Sequence, residues 1–304
     1  MLSTIHHNSV DVALAAQVLR IRYWQHIVNE RMKRGAIKMA VHTAFGYEAI
    51  AVAVSNAMGP SDQLVLTHRS IAHNLARLGT IEPALDEYLM APTGIGNGRL
   101  GSMNMANPDR GVVYVSSILG NNLSVASGLA LGQKLLDRDG VVIVTTGDGA
   151  MEEGTFCETL VLAKSLDLKL LIIVENNDFA MASTIAERRR PIALSMVCEG
   201  YGVRHQALSG NHVGIYADTL KRLRSDIIES NEPACLEVSL TMMNRHAGTT
   251  PGWPTDPMKI DLNNGLIVHE DDTDPVYVVR SLLDPDVYRD LEEQVLAQDR
   301  RFLA

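Results

Sequence analysis

Positive charge, cysteine and aromatic rings are all scarce in this chain. Of 304 residues, 27 are Lys or Arg against 36 Asp or Glu, a formal charge of −9. That balance argues against a protein built to grip nucleic-acid phosphates, which requires a basic face. Aromatic residues make up 5% of the chain, too few for base-stacking platforms. The three cysteines, Cys157, Cys198 and Cys235, stand far apart, so neither a disulfide framework nor a Cys-x-x-Cys zinc site is available. Apolar runs such as Leu170–Val174 fall far short of the roughly 20 residues of a membrane-spanning helix. The opening MLSTIHHNSV has neither the apolar core of a secretory signal nor an Arg-rich transit pattern, and its His6 and His7 read as a disordered terminus. A soluble, cytoplasmic protein with no nucleic-acid or membrane partner is expected.

What is plentiful is aliphatic sequence: 46% of the residues are hydrophobic, ample for one large α/β domain or two small ones. No internal repeat or low-complexity block is evident. The first helix is predicted over VDVALAAQVLRIRYWQHIVNERMKRG, ending at Gly35, and a second over GYEAIAVAVSNAMG, ending at Gly59. QLVLT reads as a short strand and IAHNLARLG as the helix after it. From Pro92 to Gly120 the chain is Gly-rich and reads as one long loop, a feature that is usually functional. A helix over SVASGLALGQKLLDR follows. Next come two continuous apolar strands, VVIVTT and LKLLIIV, separated by a helix over EEGTFCETLVLAKSLD. Non-alternating strands joined by a helical crossover make a βαβ unit in a sheet covered on both faces. YGVRHQALSG and CLEVSLTMM read as further strands flanking the helix HVGIYADTLKRLRSDIIES, and residues 245–275 as irregular. The last thirty or so residues are amphipathic helix with a break at Asp284 and Pro285. The fold class is therefore α/β, a doubly wound, mostly parallel sheet with helices on both faces.

Ligands of such sheets bind outside the carboxyl ends of the strands. Two ends carry polar signatures here: Gly147-Asp148-Gly149 after VVIVTT, and Glu175-Asn176-Asn177 after LLIIV, with 26 residues between GDG and NN. Asp148 supplies a carboxylate, Asn177 an amide oxygen and Phe179 a backbone carbonyl, the hard oxygen donors magnesium prefers when phosphate completes its shell. Gly149 and Ala150 open the following helix and offer N–H groups to a phosphate. A bare GDG is usually a polar turn at a sheet edge. The second polar signature, at the end of the adjoining apolar strand, is what turns it into a site.

GDG followed by NN resembles the thiamine-diphosphate and magnesium motif. The stretch GDGAMEEGTFCETLVLAKSLDLKLLIIVENNDFAMAS is similar to the alpha chain of 2-oxo-acid dehydrogenase first components of the pyruvate, branched-chain and acetoin type. The likeness extends over about residues 15–300. It includes HTAFGYEA, THRSIAHNLARLG, the loop GNGRLGSMNMANPDRG and the segment GYGVRHQALSGNHVGIYADTLKRL. It implies thiamine diphosphate and Mg2+ as cofactors, with Asp148, Asn177 and Phe179 on the metal. Gly147, Asp148, Gly149, Ala150 and Asn177 would belong to the cofactor site, with Arg69 pairing with the diphosphate and His68 at a Tyr/His position beside it. Ser117 and Leu119 would touch the pyrimidine side, while His42 and His246 would face the reacting end. The implied reaction is decarboxylation of a 2-oxo acid, or cleavage of acetoin, with the acyl or aldehyde unit passed to an acceptor. The implied partners are a beta subunit carrying the pyrimidine-binding domain and the proton-relaying glutamate, in an α2β2 assembly, and a lipoyl-bearing acyltransferase. All 304 residues then form one diphosphate-binding domain with helical ends, and Glu48 is not the relay.

Several positions depart from the family pattern. Arg245-His246-Ala247-Gly248-Thr249-Thr250 stands where the family has Arg-x-His-Gly-His-Ser, so Thr249 replaces the second histidine and His246 substitutes for it only if the loop shifts. Asn104 replaces the histidine of the Ser-Met-His core. PGWPTDPMKIDLNN replaces the phosphorylatable segment, which removes the basis for kinase control. These changes leave open a two-subunit carboligase or transketolase-like enzyme with a non-lipoyl acceptor, and a non-catalytic scaffold. Three further signals are discounted. Gly96-Asn97-Gly98-Arg99-Leu100-Gly101 matches GxGxxG, yet no strand precedes it and no obvious helix follows. Asn122-Leu123-Ser124 is a chance glycosylation sequon. Cys157 reads as a structural thiol with no basic partner.

Overall fold

The computed structural model describes residues 10–250 and 260–303. His6, His7 and residues 251–259 of the divergent segment lie outside the described residues.

Six parallel strands make one sheet: β1 (Gln63–Thr67), β2 (Val112–Ser116), β3 (Val142–Gly147), β4 (Leu170–Asn176), β7 (Arg204–Leu208) and β8 (Ala234–Ser239), in the order β2-β1-β3-β4-β8-β7. A two-stranded antiparallel ribbon, β5 (Phe179–Ala180) with β6 (Ser183–Thr184), stands beyond the end of β4. The helices are α1 (Val12–Lys33), α2 (Glu48–Ala57), α3 (Ile71–Leu78), α4 (Glu82–Tyr88), α5 (Asn121–Leu135), α6 (Gly154–Ser165), α7 (Ile185–Arg188), α8 (Leu194–Gly200), α9 (Val213–Ser230), α10 (Pro275–Leu282) and α11 (Pro285–Asp299).

The apolar strands are continuous because both faces of the sheet are covered. Leu64, Leu66, Ile143, Leu171, Ile173, Leu236 and Val238 feed a core shared with α1, α2, α3, α9, α10 and α11. Their neighbours Val65, Val142, Val144, Leu170, Ile172, Val174 and Cys235 feed a second core against α5, α6 and α8. Successive strand residues point to opposite faces, so a strand sandwiched between two helical layers has no room for polar alternation.

Two expectations need correction. The stretch from Pro92 to Gly120 is not one loop, because it contains β2, which pairs with β1. β2 is a five-residue edge strand with two half-buried positions, and a strand that short between Gly-rich turns carries little periodic signal. Gly149 and Ala150 do not open α6 directly: Ala150–Glu152 form a 3-10 turn, and α6 begins at Gly154. The predicted break near the carboxyl end is present, where the Asp284 side chain accepts from the N–H of Asp286 as α11 starts.

Candidate functional site

From β1 the chain passes outward to β2 and then returns to β3 on the other side of β1. The crevice beyond the carboxyl ends of β1 and β3 is thus a topological switch point, where ligands of open α/β sheets bind. A cavity of about 220 Å3 lies there. Thr67, His68 and Arg69 reach it from the end of β1, Ser116, Ser117 and Leu119 from β2, Gly147, Gly149 and Ala150 from β3, Glu175 and Asn177 from the end of β4, and Phe179 from β5. His42, Tyr47, Met103 and His246 close it from loops. Of the candidate residues read from the sequence, all line this cavity except Asp148, which lies fully buried just behind it.

The metal-donor candidates are neighbours because β3 and β4 pair in parallel with Gly147 opposite Glu175. Asp148 and the Asn176-Asn177 pair therefore leave the sheet at the same level. Asp148 Oδ2 accepts from Arg188 Nη2 at 2.5 Å, while its Oδ1 is buried with no hydrogen-bond partner among the described residues. Burial raises the Asp148 carboxyl pKa, and the Arg188 guanidinium opposes that shift. Asn177 donates its Nδ2 to the Tyr47 hydroxyl, and its Oδ1 accepts from the N–H of Phe179 at 2.9 Å. A buried carboxylate oxygen without a hydrogen-bond partner carries a desolvation cost that a coordinated cation would offset. Beside the Asn177 amide oxygen and the Phe179 backbone carbonyl, the donor chemistry fits a hard divalent cation.

At the other end, His42, His68 and His246 cluster, with ring centroids 4.8 Å apart for His42–His68, 4.7 Å for His42–His246 and 5.3 Å for His68–His246. Burial holds all three well below the usual imidazole range, to about 3 for His42 and His68 and about 4 for His246, with Arg69 adding to the shift. They are neutral near pH 7. The Arg69 guanidinium donates Nη1 to the carbonyl of Thr43 at 2.6 Å and Nη2 to the carbonyl of His246 at 3.0 Å. One cation thereby pins two loops to the rim.

The loop carrying His42 and Tyr47 is held from beneath. Glu48 pairs with Arg22 at 2.7 Å, and Arg22 also meets Asp274 at 3.0 Å, all three fully buried. Glu48 Oε2 accepts the N–H of Gly46 at 2.9 Å. Gly46 has φ +103°, and a Cβ there would stand 2.0 Å from the carbonyl oxygen of Thr241, so the tight approach requires glycine. Glu48 does not line the cavity.

Residues 17–250 match the dehydrogenase E1 component family. The chain belongs to that family. Among its curated relatives are the alpha subunits of acetoin:2,6-dichlorophenolindophenol oxidoreductase from Bacillus subtilis, 30% identical over 66% of this chain and 58% of that protein, and from Cupriavidus necator, 31% identical over 54% and 49%. The alpha subunit of the pyruvate dehydrogenase E1 component from Rickettsia bellii is 25% identical over 88% of this chain and 79% of that one. The chain thus spans about half the length of the acetoin-type relatives it matches. A transketolase from Pichia stipitis, solved with xylulose 5-phosphate, shares the fold with a TM-score of 0.64 at 17% identity, covering 95% of this chain and 46% of that chain.

Two departures from the dehydrogenase E1 pattern acquire a structural account. Thr249 turns from the cavity and hydrogen-bonds Asn29 of α1 at 2.9 Å, while His246, three residues earlier, lines the cavity. Asn104 is exposed, and its neighbour Met103 lines the site instead. In the GxGxxG stretch the N–H groups of Gly96, Gly98, Leu100 and Gly101 wrap the carboxylate of Glu87. Sequence reasoning missed Tyr47, although it lies inside the quoted HTAFGYEA, and missed Arg188. The three consecutive arginines shortly after Asn177 were the available signal for the latter.

Proposed function

We propose that this dehydrogenase E1 chain is the alpha subunit of a thiamine-diphosphate- and magnesium-dependent enzyme that decarboxylates a 2-oxo acid or cleaves acetoin. The observation that carries the reading is the buried, unpartnered Oδ1 of Asp148 beside Asn177 at the sheet's switch point. In it Asp148, Asn177 and the carbonyl of Phe179 hold the metal. Arg69 takes the diphosphate, aided by N–H groups at Gly149 and Ala150, while His68, Ser117, Leu119 and Gly147 shape the cofactor's bed. When bound, thiamine diphosphate supplies the carbon nucleophile and electron sink that 2-oxo-acid cleavage requires. The residues of this chain bind, orient and exclude water. His42 and His246, neutral imidazoles at the reacting end, are able to accept a hydrogen bond or a proton on a ring nitrogen.

A beta subunit bearing the pyrimidine-binding domain completes the site, in an α2β2 assembly in the cytoplasm, with the acyl unit passed to a lipoyl-bearing acyltransferase. The second reading, a carboligase with a carbonyl acceptor, is favoured by the altered acceptor loop, where His246 rather than Thr249 faces the cavity. Co-purification of the partner and titration with thiamine diphosphate tests the proposal. Binding is expected with Mg2+ and not with a chelator, and Asp148→Asn abolishes it. Cofactor affinity unchanged in that variant overturns the site. Turnover of 2-oxo acids with lipoyl-domain acylation, as against transfer to aldehydes, decides between the acceptors.

A further inference from the structure

Both side chains placed on the metal in the proposed function are gripped from behind by residues that carry no assigned role. The Tyr47 hydroxyl, fully buried at the cavity wall, receives the Nδ2 of Asn177. A side-chain amide has a donor end and an acceptor end of nearly equal shape, and a metal needs the acceptor. Here the Phe179 N–H, which can only donate, requires Oδ1 on its side, and the Tyr47 hydroxyl then accepts Nδ2 on the other and holds the amide in that orientation. Oδ1 keeps a second lone pair for a cation.

Arg188 performs the corresponding task for Asp148. Its Nη2 meets Oδ2 at 2.5 Å, its Nη1 donates to the carbonyl of Ser183 at 2.7 Å, and its Nε donates to Glu152 at 3.0 Å. The guanidinium is therefore fixed to the β5–β6 ribbon and to the 3-10 turn, independently of Asp148. Arg189 also pairs with Glu152, at 2.9 Å. The two carboxylates and two guanidinium groups sum to zero formal charge before any metal arrives. What Arg188 contributes is then orientation: it occupies one carboxylate oxygen and leaves the other without a partner.

Resting on that reading of the site, we infer that Tyr47 and Arg188 are positioning residues for the divalent cation, fixing the acceptor end of Asn177 and the free oxygen of Asp148. Neither touches the reacting atoms. Tyr47→Phe is the cleaner test, since it removes one hydroxyl without changing charge or the buried ring. Mn2+ is the probe, titrated by electron paramagnetic resonance into the complex formed by this chain and its co-purified partner, with thiamine diphosphate at saturation. Tyr47→Phe is expected to weaken Mn2+ binding about tenfold, the loss of one buried hydrogen bond. Arg188→Met is expected to weaken it by a similar factor or more. Glu152→Gln, which loosens Arg188 without touching Asp148, serves if Arg188→Met does not fold and is expected to weaken Mn2+ severalfold.

The melting temperature of the metal-free protein separates this role from a merely structural one. Variants that melt earlier yet bind Mn2+ as the wild type does overturn the inference. So does an Arg188→Met protein that binds Mn2+ more tightly, which would make Arg188 a competitor for Asp148. A wild-type complex that fails to bind Mn2+ at all overturns the proposed function instead.

Discussion

Replacing Glu87 with glutamine changes one atom type in a fully buried carboxylate and should open the glycine loop. Oε2 accepts the N–H groups of Gly96 at 2.8 Å and Gly98 at 2.9 Å, while Oε1 accepts those of Leu100 at 2.6 Å and Gly101 at 3.1 Å. The four bonds hold the carboxyl below the usual glutamate range, even though burial opposes the shift. Glutamine keeps one oxygen and puts an NH2 against the other two donors. Two backbone N–H groups then lose their acceptor in a site that excludes water, each at about 1–3 kcal/mol. Partial relaxation of the half-buried stretch lowers the sum, so a loss of about 2–4 kcal/mol is expected. Gly98 cannot simply be reshaped to compensate: it has φ +72°, and a Cβ there would lie 2.5 Å from the carbonyl oxygen of Met90. Because the same loop carries Met103 into the cavity, the damage is local before it is global. Urea unfolding measures the stability, and trypsin cleavage after the exposed Arg99 under native conditions reports the loop. A Glu87→Gln protein within about 0.5 kcal/mol of wild type, nicked no faster at Arg99, would refute the reasoning.

Two further outcomes follow from the histidines. His246→Gln should weaken cofactor binding by calorimetry while Thr249→His leaves it unchanged, because only the former position faces the cavity; the reverse pattern would mean that the loop adopts another path in solution. Acid should destabilise the cofactor-free protein well above the carboxylate range. His26 and His42 are depressed from 6.5 to about 3, chiefly by burial. The unfolded chain therefore binds their protons first as pH falls. Their contribution is complete above about pH 6.5 and is lost progressively toward pH 3, at up to about 1.4 kcal/mol per pH unit for each. Urea midpoints that stay flat from pH 7.5 to 5 would contradict this.

Much of the site was legible because strand ends are ordered by a repeating ladder. Once VVIVTT and LLIIV are read as neighbouring parallel strands, Asp148 and Asn177 must emerge together, whatever the loops do. The same ladder brings His68 and Arg69 alongside, since β1 pairs with β3. The loops have no such repeat. Arg69 and His246, 177 positions apart, meet through hydrogen bonds that no local pattern announces. β2 is not legible in the sequence, because a short edge strand buries too little on either face to show a period. The glycine stretch closes on Glu87, a carboxylate in the preceding helix α4, which carries no local sequence signal.

The amino-acid sequence by itself determined the covered parallel sheet, the two polar strand ends and the family, because aliphatic runs and short motifs act through local geometry. The tertiary structure alone decided that His246 and not Thr249 enters the cavity. It also decided that Tyr47 and Arg188 stand behind Asn177 and Asp148, and that the glycine loop closes on a glutamate. Each of those outcomes depends on where a loop backbone comes to rest, and that is set by the packing and buried charges of distant segments, which local sequence does not encode.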